Sequence, residues 1–189
     1  MAACDMANQC LANCEDNQVP GIIGEEVLIV PFSDIDKDAS LQNVSGEFTQ
    51  IVLKAGAVAF IWQGSPDSVK ASSNGSTAEF VSSKFMHMCT VTGYGSKWID
   101  KKKFQSLMRG LWVVFVRTKD LNIHIFGWDT GLNGESSVWN PIENDGTFQI
   151  VLQTKATQYE GKHPRNFVGI PPATLTEAWE TLEALATPC

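Results

Sequence analysis

The chain has 189 residues, 43% of them hydrophobic and 19% charged, with a formal net charge of −7. That length supports one domain with a real core, and those fractions are ordinary for a folded protein. The negative balance argues against general affinity for nucleic acid; no apolar run is long enough to suggest a membrane-spanning helix, and the N-terminus has neither a basic start nor an apolar stretch to act as a secretory signal.

The charge is unevenly spread. Residues 1–83 hold 11 acids and 3 bases, residues 84–119 hold 8 bases and 1 acid, and residues 120–189 hold 9 acids and 3 bases. A basic centre between acidic flanks suits a surface that meets its opposite on another copy; pairing within the same chain is the plainer alternative. Of the five cysteines, Cys4, Cys10 and Cys14 crowd the N-terminus, Cys89 falls in a strand-like run and Cys189 is the last residue. The spacing C-x5-C-x3-C fits no standard zinc motif, and reduced thiols are the expectation for a protein kept in a cytoplasm.

In chain order, residues 1–20 are polar and without period, and read as an N-terminal arm ending at the turn dipeptide Pro20-Gly21. Glu26 to Phe32 (EVLIVPF) is a short strand. Ser33 to Ser40 reads as an acidic loop; its aspartates Asp34, Asp36 and Asp38 lack the glycine and glutamate of a calcium-binding loop. Phe48 to Lys54 and Ala57 to Trp62 are two strands joined at Ala55-Gly56. Gln63 to Gly75 is rich in turn residues and reads as a long surface loop. Ala78 to Tyr94 is a long strand that puts His87 and Cys89 on one face. Ser96 to Arg109 is a helix, with Phe104, Leu107, Met108 and Leu111 at helical spacing and Lys101, Lys102 and Lys103 on its outward arc.

The stretch from Phe104 to Gly131 holds the largest apolar mass and organises the rest. The helix stops at Gly110, Leu111 to Arg117 forms a strand, and Leu121 to Gly127 returns antiparallel to it. Trp128 to Gly146 reads as a glycine- and asparagine-rich loop, Thr147 to Thr157 as a strand, and Gln158 to Pro172 as irregular. A capping box at Thr174-x-x-Glu177 opens a C-terminal helix over 174–187, with Ala178, Trp179, Leu182 and Leu185 along one face. The expectation is about seven strands and two helices: a mainly β (α+β) fold, an antiparallel β-sandwich or barrel-like domain with a flanking helix and a C-terminal helix, spanning 1–189 as one domain.

No catalytic motif emerges. The serine elbow, the phosphate loop and the dinucleotide fingerprint are all missing, and His87, His124 and His163 stand far apart in sequence. The expectation is that the protein is not an enzyme and carries no cofactor and no catalytic or metal-binding residue. Among six tryptophans, Trp128 and Trp139 lie near loops and are candidates for an exposed aromatic contact, as in a β-sandwich that binds glycan or protein.

The order of short motifs resembles a known class. An MA-x-C start, then P-G-I-I-G and E-V-L-I-V, then L-W-V-V-F-V-R-T, H-I-F-G-W-D-T-G-L and N-D-G-T-F-Q-I-V-L-Q-T-K-A, is similar to structural tail proteins of phages infecting Bacteroidetes-type bacteria, the tail tube proteins. The resemblance runs over roughly residues 4–157. It implies six copies closing into a ring, rings stacking into a tube through which phage DNA passes without specific binding, and other tail or neck proteins as partners. It also implies a virion location after assembly in the host cytoplasm. Connector, tail terminator and capsid-decorating protein are the alternatives within the virion. Ring closure and stacking need two complementary patches, and the candidates are Lys97, Lys101, Lys102 and Lys103 against Asp34, Asp36 and Asp38.

Overall fold

The computed structural model describes residues 22–63, 69–78, 81–94, 98–118, 120–139, 147–155 and 157–186. The N-terminal arm, four of the five cysteines and Lys97 lie outside the described residues. The strands are β1 (Ile22–Pro31), β2 (Ile35–Gln42), β3 (Phe48–Leu53), β4 (Phe60–Gln63), β5 (Val69–Ala78) and β6 (Val81–Tyr94). Helix α1 (Trp98–Arg109) leads into β7 (Leu111–Thr118), β8 (Ile123–Phe126), β9 (Leu132–Trp139), β10 (Thr147–Gln153) and β11 (Arg165–Phe167), and α2 (Leu175–Glu183) follows. The fold is mainly β, with one flanking and one C-terminal helix, as the sequence implies.

The strands form one mixed sheet in the order β2-β3-β11-β8-β7-β9-β10-β6-β5, with β1 paired to both β7 and β4. All pairs are antiparallel except β11 with β3, which run parallel at Phe167 and Phe48. β5 curls back beside β1, yet among the described residues no ladder joins them and the sheet is not closed into a barrel.

The apolar runs of β1 and β7 explain why the sheet folds over on both sides. Neither strand alternates apolar with polar, so both faces must be covered. Val27, Ile29, Val114 and Val116 point into one core, completed by Cys89, Val91, Leu132, Ile150 and Leu152 from the β9-β10-β6-β5 wing and by Leu107 of α1. Leu28, Val30, Val113 and Phe115 point into a second core, completed by Phe48, Ile123, Ile125, Trp128 and Phe167 and by Ala178, Trp179 and Leu182 of α2. The two helices therefore serve different cores. α1 comes so close to β9 that a Cβ on Gly134 would sit 2.5 Å from the Cα of Met108. α2 opens with the expected capping box, Thr174 and Glu177 bonding each other's backbone N–H.

Four strands replace expected loops. The acidic stretch after β1 makes only a short 3-10 turn, Phe32–Asp34, before entering β2, whose first residue Ile35 is buried. An irregularity between Asp36 and Leu41 breaks the ladder there; Asp36 Oδ1 accepts the Ala39 N–H at 3.0 Å and Ser40 Oγ donates to Asp36 O at 2.7 Å. β5 occupies much of the supposed 63–75 loop, held by its long ladder with β6. β9 lies within the supposed 128–146 loop and pairs with β10. β11, three residues long, lies within the supposed irregular 158–172 segment. These strands are polar or short, so their partners, not an apolar pattern, define them. β3 and β4 do not pair with each other: β3 joins β2 and β11, and β4 joins β1.

Candidate functional site

The polar heart of the molecule is built where β8 becomes β9. Both strands pair with the same edge of β7, Phe126 opposite Val114 and Leu132 opposite Trp112. They are one strand interrupted by a five-residue excursion, 127–131. Gly127 and Gly131 open and close it at φ of 75° and 79°, a region that residues with a Cβ rarely adopt, and the Gly131 N–H donates to Gly127 O at 3.0 Å.

Two buried ionisable side chains hold this excursion. Glu160, 2% exposed, accepts the N–H groups of Asp129 at 2.8 Å and Thr130 at 2.9 Å and the Thr130 hydroxyl at 3.0 Å. His87, 1% exposed, accepts the Gly127 N–H at Nδ1 (3.2 Å) and donates from Nε2 to Lys162 O (3.1 Å). Those two bonds define a neutral ring with its proton on Nε2. Burial lowers its pKa from 6.5 to about 4, against the opposing pull of the Lys162 carbonyl.

The segment carrying Glu160 is itself tied down, because Phe85 and Glu160 exchange both backbone hydrogen bonds at 3.0 Å. On the outer side of the excursion, Arg165 pairs with Asp129 at 2.5 Å. Lys37 reaches in from the broken part of β2, its ammonium 3.7 Å from the centroid of the Phe32 ring and 3.5 Å from Asp129 O. Partial burial lowers the Lys37 pKa, while Asp129 and Glu160 push it back up.

In this cluster both ring nitrogens of His87 and both carboxylate oxygens of Glu160 are bonded to groups of the chain itself. Among the described residues no group of three or more His, Cys, Asp and Glu side chains could hold a metal ion. His87 and Cys89 share the inward face of β6, and burial pushes the Cys89 thiol up to about 12, far from a reactive thiolate. On the surface, Ser73 Oγ lies 3.2 Å from His163 Nδ1; no described carboxylate bonds to that histidine, so the pair lacks the third member that orients a catalytic base.

The expected site residues among those described fall in four places. Trp128 is a correction: it is 5% exposed, turned by the excursion into the second core, with its ring 4.2 Å from that of Phe48. It offers no exposed contact. Trp139 ends β9, and its side chain lies outside what the structure describes. Asp34 closes the 3-10 turn while Asp36 and Asp38 sit on edge strand β2, over the second core. Lys101, Lys102 and Lys103 lie on α1, over the first core; of their side chains the structure describes Lys102, which is exposed. Among the described residues none of the three aspartates forms an ion pair.

The roles of His87 and Glu160 were not legible beforehand. The one local signal was the Gly-x3-Gly spacing at 127–131, which marks an excursion needing something to satisfy its exposed N–H groups.

Fold and site together define a mainly β protein with two cores back to back and a hydrogen-bonded clamp between them. No helix among the described residues is long and apolar enough to cross a membrane. Compared with protein-family models, with curated proteins and with solved structures, the chain has no match in any of the three.

Proposed function

We propose that the chain is a self-assembling, non-catalytic virion structural protein, a phage tail tube subunit whose copies close into rings and stack. The observation that carries this reading is the placement of charge on the two sides of the β1-β7-β8 layer. The lysine-rich helix α1 belongs to the first core. The aspartates of 34–38 and the glutamates of α2 belong to the second. Opposite signs on opposite sides are what head-to-tail stacking requires, because each copy presents one patch and receives the other. The resemblance of the sequence motifs supplies the particular assembly, and the net charge of −7 suits a wall that lets DNA pass without holding it.

Electron microscopy of the purified full chain tests this. Rings or tubes, dissociating as salt screens the opposed charges, are the expected result. A compact monomer at high concentration across low and high salt overturns it.

A further inference from the structure

His87 holds the excursion by a bond whose sense depends on one proton. Its Nδ1 accepts the Gly127 N–H at 3.2 Å, while its Nε2 donates to Lys162 O at 3.1 Å. An imidazolium carries a hydrogen on both nitrogens and accepts at neither. Protonation therefore keeps the Lys162 bond and sets two donors, the ring N–H and the Gly127 N–H, against each other. The far end of the excursion is held differently. There the Asp129 and Thr130 N–H groups end on the Glu160 carboxylate at 2.8 and 2.9 Å, bonds that a proton on His87 does not touch.

Neither the ring nor the strand before Gly127 is free to retreat from that conflict. His87 lies opposite Ser73 of β5, and on its other edge Thr154 donates its N–H to His87 O at 3.0 Å and accepts the His87 N–H at 3.1 Å. Phe126 is fixed in the ladder with β7, and its ring meets that of His87 edge-on at 5.5 Å. The joint left to move is Gly127, whose φ of 75° is one of many values open to a glycine. The charged and titratable groups about the ring are Asp129, with Arg165 and Lys37 beyond it, Glu160 and Lys162 on the segment bridged to Phe85, and His163, its ring 4.0 Å from that of Phe85. Burial is the largest influence keeping the ring neutral; the Lys162 carbonyl and Asp129 favour the proton, and His163 opposes it.

We infer that His87 is a proton-operated latch: a proton taken up at Nδ1 frees the Gly127 end of the excursion while the Glu160 end and the flanking ladders stay closed. The freed end is the one that carries Trp128, whose ring sits 4.2 Å from that of Phe48 in the second core. Acid thus acts first on one aromatic anchor of that core and not on the sheet. The latch stands on the geometry of the clamp and does not rest on the assembly reading above. Linkage fixes its direction. The released ring binds a proton at the ordinary 6.5 and the held ring only near 4, so opening grows as pH falls through 6.5 and levels off below 4.

Amide exchange of the full chain, resolved by NMR and corrected for the intrinsic pH dependence of exchange, tests the latch. The open form at Gly127 is expected to be about 30-fold more populated at about pH 5 than at about pH 7.5. The Asp129 and Thr130 amides are expected to change by less than about threefold over the same interval. His87→Gln keeps an acceptor for the Gly127 N–H but does not titrate, so it should show no rise there, with circular dichroism as the check on folding. If that variant does not fold, the parent's slope carries the test: opening at Gly127 must grow about tenfold per pH unit just below pH 6, the signature of a single proton. No rise at Gly127, an equal rise in His87→Gln, or an equal rise at Asp129 and Thr130 overturns the latch; the last would mean that acid loosens the clamp as a whole.

Discussion

The two cores share their middle layer but are closed differently. The first is lined mostly by aliphatic and sulfur-bearing side chains from four further strands and one helix position, Leu107, with Trp112, Phe126 and Phe148 as its buried rings. The second is closed by Phe48, Phe115, Phe167, Trp128 and Trp179 and by a capped helix; the clamp lies between the two, its Arg165–Asp129 pair beside Trp128 and its His87 ring 5.5 Å from that of Phe126 in the first core. One side is therefore held by sheet ladders and area removed from water, the other by large rings whose positions depend on polar ties. A helix that rests on one or two side chains, as α1 does, depends on the close approach that Gly134 permits; a helix anchored by Trp179 depends on a single large group.

The sharpest way to break the comparison is Trp179→Ala, which empties the largest fully buried side chain. It is expected to cost about 3–5 kcal/mol in denaturant unfolding, against about 2–5 kcal/mol for Ile150→Ala in the first core. Each loss is expected to speed amide exchange on its own side first, at α2 for Trp179→Ala and at β10 for Ile150→Ala; equal acceleration on both sides in both variants would mean the two sides are not separately anchored. Glu160→Ala comes next. It leaves the Asp129 and Thr130 N–H groups and the Thr130 hydroxyl without their acceptor, at roughly 3 kcal/mol; amide exchange should speed up at 127–131 first, and unchanged exchange there would remove the clamp from the account.

Acid probes the same clamp from its other jaw. The pKa of folded His87 lies near 4 and its ordinary value at 6.5, so between those values the unfolded chain binds the extra proton. The stability that neutral His87 contributes is fully present above about pH 6.5 and is lost as pH falls toward 4. His87→Gln should flatten that part of the stability–pH curve, and an equally steep curve in the variant would assign the slope to other groups. The smallest expected effect is at the helix cap, where Thr174→Ala should cost about 1 kcal/mol and loosen α2 without disturbing the first core.

The sequence made the apolar skeleton legible and left its polar margins dark. β1, β6, β7 and β10 announce themselves because their side chains are chosen by burial, and the capping box of α2 is a local signature that needs no tertiary context. β2, β5, β9 and β11 carry Asp, Ser, Asn and Gly, and exist because a neighbouring strand offers them hydrogen bonds. No window along the chain contains that information. Trp128 misled for a related reason: between Gly127 and Asp129 it has the composition of an exposed turn, and only the excursion's geometry shows that the indole points inward. The clamp joins residues 87, 129, 160 and 165, which are too far apart in sequence for spacing to link them.

The interruption between β8 and β9 has a consequence for how the sheet avoids misfolding. A strand that slips by one residue turns every side chain to the wrong face. Here Phe126 is fixed against Val114 and Leu132 against Trp112, with the five residues of the excursion between them. The excursion can take up a one-residue shift in β8 without turning the side chains of β9 to the wrong face.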